Sequence, residues 1–202
     1  MDVLEKYKEA WDNQPENENK VSKKEIYKMM KSKSSSIVKW IFIISILELL
    51  LPHLVYLFTD YENYNKIYVD LGIKKIHVFV SIFLYVVALF FIFKFYTNYK
   101  NISATSSTKD LMHQILKVRK TVKTYFLVNI TLFVLYSVFV SITMLYDTLK
   151  TLSGSKVLIT IIVFIILLSV SITIFWLIYQ LLYGILLKKL NRNYKDLAKL
   201  EE

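Results

Sequence analysis

A single acidic side chain stands in the middle of a long apolar run. Glu48 lies eleven residues into the run 37–58, and it shares one helical face with residues spaced by four and three, namely Ile41, Ser45, Pro52 and Tyr56. A carboxylate at the centre of a bilayer costs ~2.5–3.5 kcal/mol on insertion scales. We therefore expect Glu48 to face other helices and not lipid.

Two roles are open for a carboxyl group at this position. It could pass protons or cations through the membrane. Alternatively, it could stay neutral, because an apolar environment disfavours the charged form, and hydrogen-bond to neighbouring helices. We favour the second role. Matching the depth of Glu48 across the other three apolar runs indicates Tyr85, Tyr136 and Ser169 as its candidate partners.

Two histidines lie at neighbouring ends of the first and second apolar runs. His53 and His77 belong to adjacent helices of a predicted hairpin, so they could approach each other. They are weak candidates for a metal site, because no ligand spacing such as His-x-x-x-His is present. Histidines at a membrane interface more commonly contact lipid headgroups, and we expect neither a metal ion nor a cofactor.

Other patterns that carry enzyme chemistry are missing. The sequence has no cysteine, which excludes a thiol nucleophile and a disulfide framework. Gly-x-Ser-x-Gly, a glycine-rich phosphate loop and His-Glu-x-x-His are also absent. Transporters usually need helices interrupted by Gly or Pro, and Pro52 is the only proline within the apolar runs. We favour a non-enzymatic protein; the alternatives are an integral-membrane enzyme and a small transporter that uses Glu48.

The elements that must position these residues follow from composition. Hydrophobic residues make up 55% of the 202, and the mean hydropathy is +0.42. Four apolar runs, 37–58, 76–93, 125–146 and 157–183, are each long enough to cross a hydrocarbon core of ~30 Å. The sequence predicts an all-α integral membrane protein with four transmembrane helices in a lipid bilayer.

The basic residues predict the orientation of these helices. Of the 26 Lys and Arg residues, 20 lie before the first run, between the second and third, or after the fourth, and one more, Lys39, lies at the start of the first run. Because positively charged segments stay in the cytoplasm, both termini and the connection 94–124 are predicted to be cytoplasmic. The net charge of +10 therefore flanks membrane segments, where it favours anionic lipid headgroups, and does not indicate nucleic-acid binding.

We expect the cytoplasmic segments to form short amphipathic helices. Ser22 with Glu25, and Ser107 with Asp110, have the spacing of a helix start, and the second of these helices should run unbroken into the third span. The predicted organisation is an N-terminal arm 1–36 with two short helices, a transmembrane domain 37–183 and a helical tail 184–202. A homo-oligomer is left open.

The N-terminal arm is the candidate site for a cytoplasmic protein partner. Leu4, Tyr7 and Trp11 form an apolar stripe on a helix of about three turns, which is too short to be stable alone in water. The first 20 residues of the arm are also acidic, with six Asp and Glu against three Lys, so anionic lipid repels them. The stripe can therefore be buried against one of two surfaces: a separate partner protein, or the protein's own basic helices around 109–123 and 188–199.

The first quarter of the chain resembles a known group of proteins. The stretches Leu-Glu-Lys-Tyr-Lys-Glu-Ala-Trp-Asp-Asn-Gln (4–14), Lys-Val-Ser-Lys-Lys-Glu-Ile-Tyr-Lys-Met (20–29) and Lys-Ser-Ser-Ser-Ile-Val-Lys-Trp-Ile-Phe-Ile-Ile (33–44) are similar to a family of small, uncharacterised bacterial membrane proteins. The resemblance implies a multi-pass protein of the bacterial inner membrane. Some members are labelled β-carotene 15,15′-monooxygenase, but the three histidines and the lack of a β-pattern here do not support that activity.

Overall fold

The computed structural model describes residues 22–56, 58, 61–150 and 154–201, and within these ranges the chain is helical and contains no strand. The all-α prediction is confirmed. The elements in chain order are α1 (Lys23–Tyr56), α2 (Tyr61–Asp70), α3 (Lys74–Ala104), α4 (Thr108–Leu149), α5 (Ser155–Tyr179), a π-helical turn (Gln180–Gly184) and α6 (Ile185–Glu201).

Four helical stretches are long and apolar enough to cross a membrane; three contain a predicted span, and the first, Lys23–Leu54, covers all but the last four residues of the span 37–58. In the most apolar window of α4, and in that of the stretch Lys156–Lys199, no described residue is buried inside the protein. A water-soluble protein does not expose an apolar surface of this extent, so the surface requires an apolar medium. The helices therefore indicate a multi-pass membrane protein.

Helix α1 is continuous where the sequence predicts a boundary between the arm and the first span. It runs for 34 residues and passes through residue 37 without a break. The intervening Lys-Ser-Ser-Ser segment at 33–36 contains neither Gly nor Pro, so nothing in it interrupts the backbone hydrogen bonds. The second arm helix and the first span are one element.

Both predicted helix starts are confirmed. At the start of α1, the backbone amide of Glu25 donates to Ser22 Oγ at 3.2 Å, and the backbone amide of Ser22 donates back to Glu25 Oε2 at 2.9 Å. At the start of α4, the amide of Asp110 donates to Ser107 Oγ at 3.1 Å. As predicted, α4 then continues unbroken through the third span.

The packed core lies at one end of the helical bundle. We call this the lysine-rich end and define it as residues 22–41, 91–123 and 183–201. Eight of the twelve core residues lie outside the predicted spans, and the other four lie within five residues of a span edge. The twelve are Val38, Ile41, Phe91, Phe95, Ile102, Leu111, Ile115, Val118, Val122, Tyr183, Leu190 and Leu197.

Polar side chains join the helices around this core. The Tyr27 hydroxyl and the Lys31 ammonium, both on α1, donate to the carbonyl oxygen of Thr105 between α3 and α4, at 3.0 and 2.5 Å. On the other side of α1, Asn193 Nδ2 of α6 donates to Ser34 Oγ at 3.1 Å. Because Ser34 and Asn193 are both buried, water cannot replace this last bond.

Ser34→Ala should destabilise the protein by about 1–3 kcal/mol, because the buried amide of Asn193 loses its acceptor. The measurement is the Tm of the purified protein in detergent. Ser35→Ala is the matched control: the neighbouring hydroxyl pairs with Ser103 in an exposed bond that water can replace, so its Tm should stay near that of the parent. Equal losses of Tm in the two variants would contradict a special contribution from the buried bond.

Candidate functional site

The strongest candidate site is a carboxyl group that receives two phenolic hydrogen bonds. Glu48 Oε2 of α1 accepts from the Tyr125 hydroxyl of α4 at 2.6 Å and from the Tyr183 hydroxyl of the π-helical turn at 2.8 Å. We call these three residues the glutamate cluster. The interhelical bonding expected of Glu48 is present, and it ties three separate segments of the chain together.

Aromatic rings hold both phenols in place. The Tyr125 ring meets Phe91 and Phe95 of α3 edge-on, with centroids 5.2 and 5.3 Å apart. The Tyr183 ring lies 5.7 Å from Tyr125 and is fully buried. Edge-to-face contacts of this kind fix ring orientation. These ring contacts help to orient both hydroxyl groups toward Glu48, and α3 contacts the cluster through its phenylalanines.

The π-helical turn brings Tyr183 into the cluster. It spans Gln180–Gly184 and interrupts an otherwise α-helical stretch. A π-helical turn contains one residue more than an α-helical turn. Because each residue of an α-helix corresponds to a rotation of about 100°, the extra residue rotates α6 by that angle, which turns its apolar side toward the core. Gly184 leaves room for the Gln180 side chain, since a Cβ there would stand 3.1 Å from Gln180 Cδ. π-Turns are frequent at functional sites. The apolar run 157–183 gives no sign of this one in the sequence.

The predicted partners of Glu48 were wrong. Tyr85 bonds to His53 Nε2 at 3.2 Å, Tyr136 bonds to His77 Nδ1, and Ser169 donates to the backbone of its own helix at 2.8 Å. Depth matching failed because it assumed that the predicted spans all begin at the same level. In the structure Glu48, eleven residues into the first predicted span, bonds to Tyr125 at the start of the third and to Tyr183 at the end of the fourth.

Ser45 lies on the same face of α1 as Glu48, one turn earlier. Its side chain is buried, and its hydroxyl donates to the carbonyl oxygen of Phe42 at 2.7 Å. This local bond satisfies the hydroxyl within the helix. The polar stripe predicted on α1 is thus used in two ways, Ser45 bonding to its own backbone and Glu48 bonding to other helices.

The two histidines lie at the end of the bundle away from the lysine-rich end. His53 Nδ1 bonds to the carbonyl oxygen of Leu49 at 3.2 Å, and the His77 ring stacks on Tyr68 of α2 at 3.8 Å. Among the residues that the structure describes, no three His, Asp or Glu side chains lie close enough to hold a metal ion. The geometry gives each histidine a tyrosine partner of its own.

The partner-binding candidates Leu4, Tyr7 and Trp11 lie outside the described residues. The stripe on the N-terminal arm stays a prediction.

Fold and site together describe a bundle of four helices that are long and apolar enough to cross a membrane, with a polar link beside a packed, lysine-rich end. A family model described as a domain of unknown function (DUF8845) matches residues 24–202, and the chain belongs to this family. The match includes the whole glutamate cluster and begins within the N-terminal arm, after Leu4, Tyr7 and Trp11. No curated protein and no solved structure matches the chain.

Glu48→Gln should leave the stability almost unchanged, because an amide oxygen can accept both phenolic hydrogen bonds. Glu48→Leu should cost on the order of 1 kcal/mol, which is the usual contribution of a hydrogen bond in a membrane. The measurement is thermal unfolding of the purified protein. In a double-mutant cycle, Tyr125→Phe should add less on top of Glu48→Leu than it does alone, because both changes remove the same bond. A large loss of stability in Glu48→Gln would show that the charged carboxylate matters.

Proposed function

We propose that this chain is a non-enzymatic, multi-pass protein of a bacterial inner membrane, with both termini in the cytoplasm. In this proposal its lysine-rich end contacts a partner protein or the inner leaflet. One observation carries the proposal: the packed core lies at the lysine-rich end and largely outside the predicted spans. A protein that only needed anchoring would not require a packed bundle there.

Helix length supports a bundle that extends into water. Helix α4 has 42 residues, or about 63 Å at 1.5 Å per residue. That is about twice the ~30 Å of a hydrocarbon core. Helix α6 continues the fourth span for 17 residues beyond the π-helical turn. Roughly half of α4 and all of α6 are therefore available for contacts outside the hydrocarbon.

Charge supports the orientation and the nature of the contact. The lysine-rich end carries exposed basic side chains on four helices, among them Lys33, Lys39, Lys100, Lys117, Lys120, Lys123, Lys188, Lys189, Arg192 and Lys195. Positively charged flanks are retained in the cytoplasm. They also attract anionic lipids, at about 1 kcal/mol per basic residue near the surface.

The chemistry of the glutamate cluster favours a structural role over catalysis. Both phenols donate to one oxygen of Glu48 and join three segments of the chain, which is what a helix-positioning link requires. The π-helical turn beside it favours the runner-up, a small transporter that uses Glu48, because such turns often mark functional sites. Loss of a measured proton or cation flux in folded Glu48→Gln would replace the structural role with transport.

The orientation can be tested with single cysteines, because the chain has none of its own. In intact cells, a membrane-impermeant maleimide should label Lys66→Cys, between the first two spans. It should label Lys117→Cys and Lys195→Cys only after lysis, since both lie at the lysine-rich end. All three side chains are exposed in the structure, so burial does not limit labelling. Labelling of Lys117→Cys or Lys195→Cys in intact cells would contradict the proposed topology.

Removing residues 1–19 tests whether the N-terminal arm binds a partner. If the arm docks onto the protein's own basic helices, the purified protein should lose thermal stability, because an apolar stripe is exposed and charge contacts are lost. If it binds a separate protein, the Tm should stay unchanged and a co-purifying protein should disappear. The triple variant Leu4→Ser, Tyr7→Ser, Trp11→Ser keeps the arm's charge and isolates the stripe. A deletion without either effect would end the idea of a binding arm.

A further inference from the structure

A cleft of about 580 Å³ opens between α1 and α6 at the lysine-rich end. Helix α1 contributes Lys33, and α6 contributes Lys189 and Arg192. Two hydroxyl groups, Ser32 and Ser36, stand four residues apart on the same side of α1. A cleft of this volume falls within the range of small-ligand pockets, about 300–1,000 Å³.

The three cations in this cleft outnumber its carboxylates. Lys33, Lys189 and Arg192 are exposed, and none makes an ion pair in the part of the chain that the structure describes. The single acid in the lining, Asp196, is half-buried. Three cations against one carboxylate favour an anion, and the planar fork of arginine is suited to phosphate oxygens.

The depth of the cleft matches the phosphate layer of a bilayer. Ile37 begins the first predicted span and also lines the cleft. Lys33 lies one helical turn earlier, or about 6 Å along the axis at 1.5 Å per residue. The polar interface on each side of a bilayer is about 5–7 Å thick, so Lys33 falls where lipid phosphates lie. Ile37 gives the same cleft an apolar wall on its hydrocarbon side, which suits the first carbons of a lipid.

We propose that this cleft binds the phosphate of an anionic phospholipid headgroup in the inner leaflet. Lys33, Lys189 and Arg192 hold the phosphate oxygens, and the serine hydroxyls donate to them. The Asp196 carboxylate accepts a hydrogen bond from a headgroup hydroxyl, which makes phosphatidylglycerol the suitable probe. The inference rests on the proposed function, because it places the lysine-rich end at the inner leaflet. The same phosphate chemistry could be supplied by free phosphate from the cytosol.

Lipid titration of the purified full-length chain in detergent, followed by native mass spectrometry, tests the proposal. The ligands are phosphatidylglycerol, phosphatidylcholine and inorganic phosphate. Lys189→Gln/Arg192→Gln removes two cleft cations. Lys188→Gln/Lys195→Gln is the matched control, with the same loss of charge on the same helix but outside the cleft lining. The Tm of each variant establishes that it is folded. Lys33→Gln is the second cleft variant if the double one does not fold.

We expect the parent to retain phosphatidylglycerol over phosphatidylcholine. The cleft variant should bind phosphatidylglycerol about tenfold more weakly, with the control within about twofold of the parent, because the basic residues near an anionic surface act locally. Equal binding by the parent, cleft variant and control would overturn the site. Displacement of the lipid by millimolar inorganic phosphate would show that the cleft binds free phosphate and would overturn the lipid as the ligand. Binding in detergent does not depend on orientation, so labelling of Lys195→Cys in intact cells would contradict the proposed function alone.

Discussion

The architecture depends on where the hydrophobic effect can act. Between helices in lipid there is little hydrophobic driving force, because lipid tails are as apolar as the side chains that would leave them. Water restores that force where the helices emerge. The buried residues follow this rule: Ile102, Ile115 and Leu190 pack where their helices have left the predicted spans, while the most apolar stretches of α4 and α5 contain no buried described residue.

The glutamate cluster supplies what the hydrophobic effect cannot supply deeper in the bundle. Glu48 has a carboxyl group that needs partners in apolar surroundings, and Tyr125 and Tyr183 have phenolic hydrogens that need acceptors. Pairing them gives each phenol an acceptor and gives Glu48 Oε2 two donors, and it fixes α1 against α4 and the π-helical turn. The cluster lies just above the packed core, so the core and the polar link support each other: Phe91 and Tyr183 belong to the core and also surround the link.

This arrangement gives the lysine-rich end a fixed geometry. Packing of α6 against α1, reinforced by the buried bond between Asn193 and Ser34, holds the two walls of the basic cleft together. A cleft with fixed walls can select a headgroup, whereas scattered juxtamembrane lysines only attract charge. The geometry of the proposed lipid site therefore depends on the packing of α6 against α1, and the glutamate cluster supports that packing.

The sequence by itself determined the features that depend on residues close together along the chain. The apolar runs predicted the four long apolar helices. Two helix starts were predicted from the pairs Ser22–Glu25 and Ser107–Asp110, because helix capping uses residues three apart in the chain. It also singled out Glu48, since an acid within an apolar run is costly wherever the helices pack. Only the tertiary structure decided which groups Glu48 meets. The relative level of the helices and the π-helical turn bring Tyr125 and Tyr183 to Glu48 in place of the residues of matching depth. The fold also places Lys33 and Arg192, which are far apart in the chain, in the lining of one cleft. Such pairings depend on helix rotation and packing, which residue spacing within one helix does not encode.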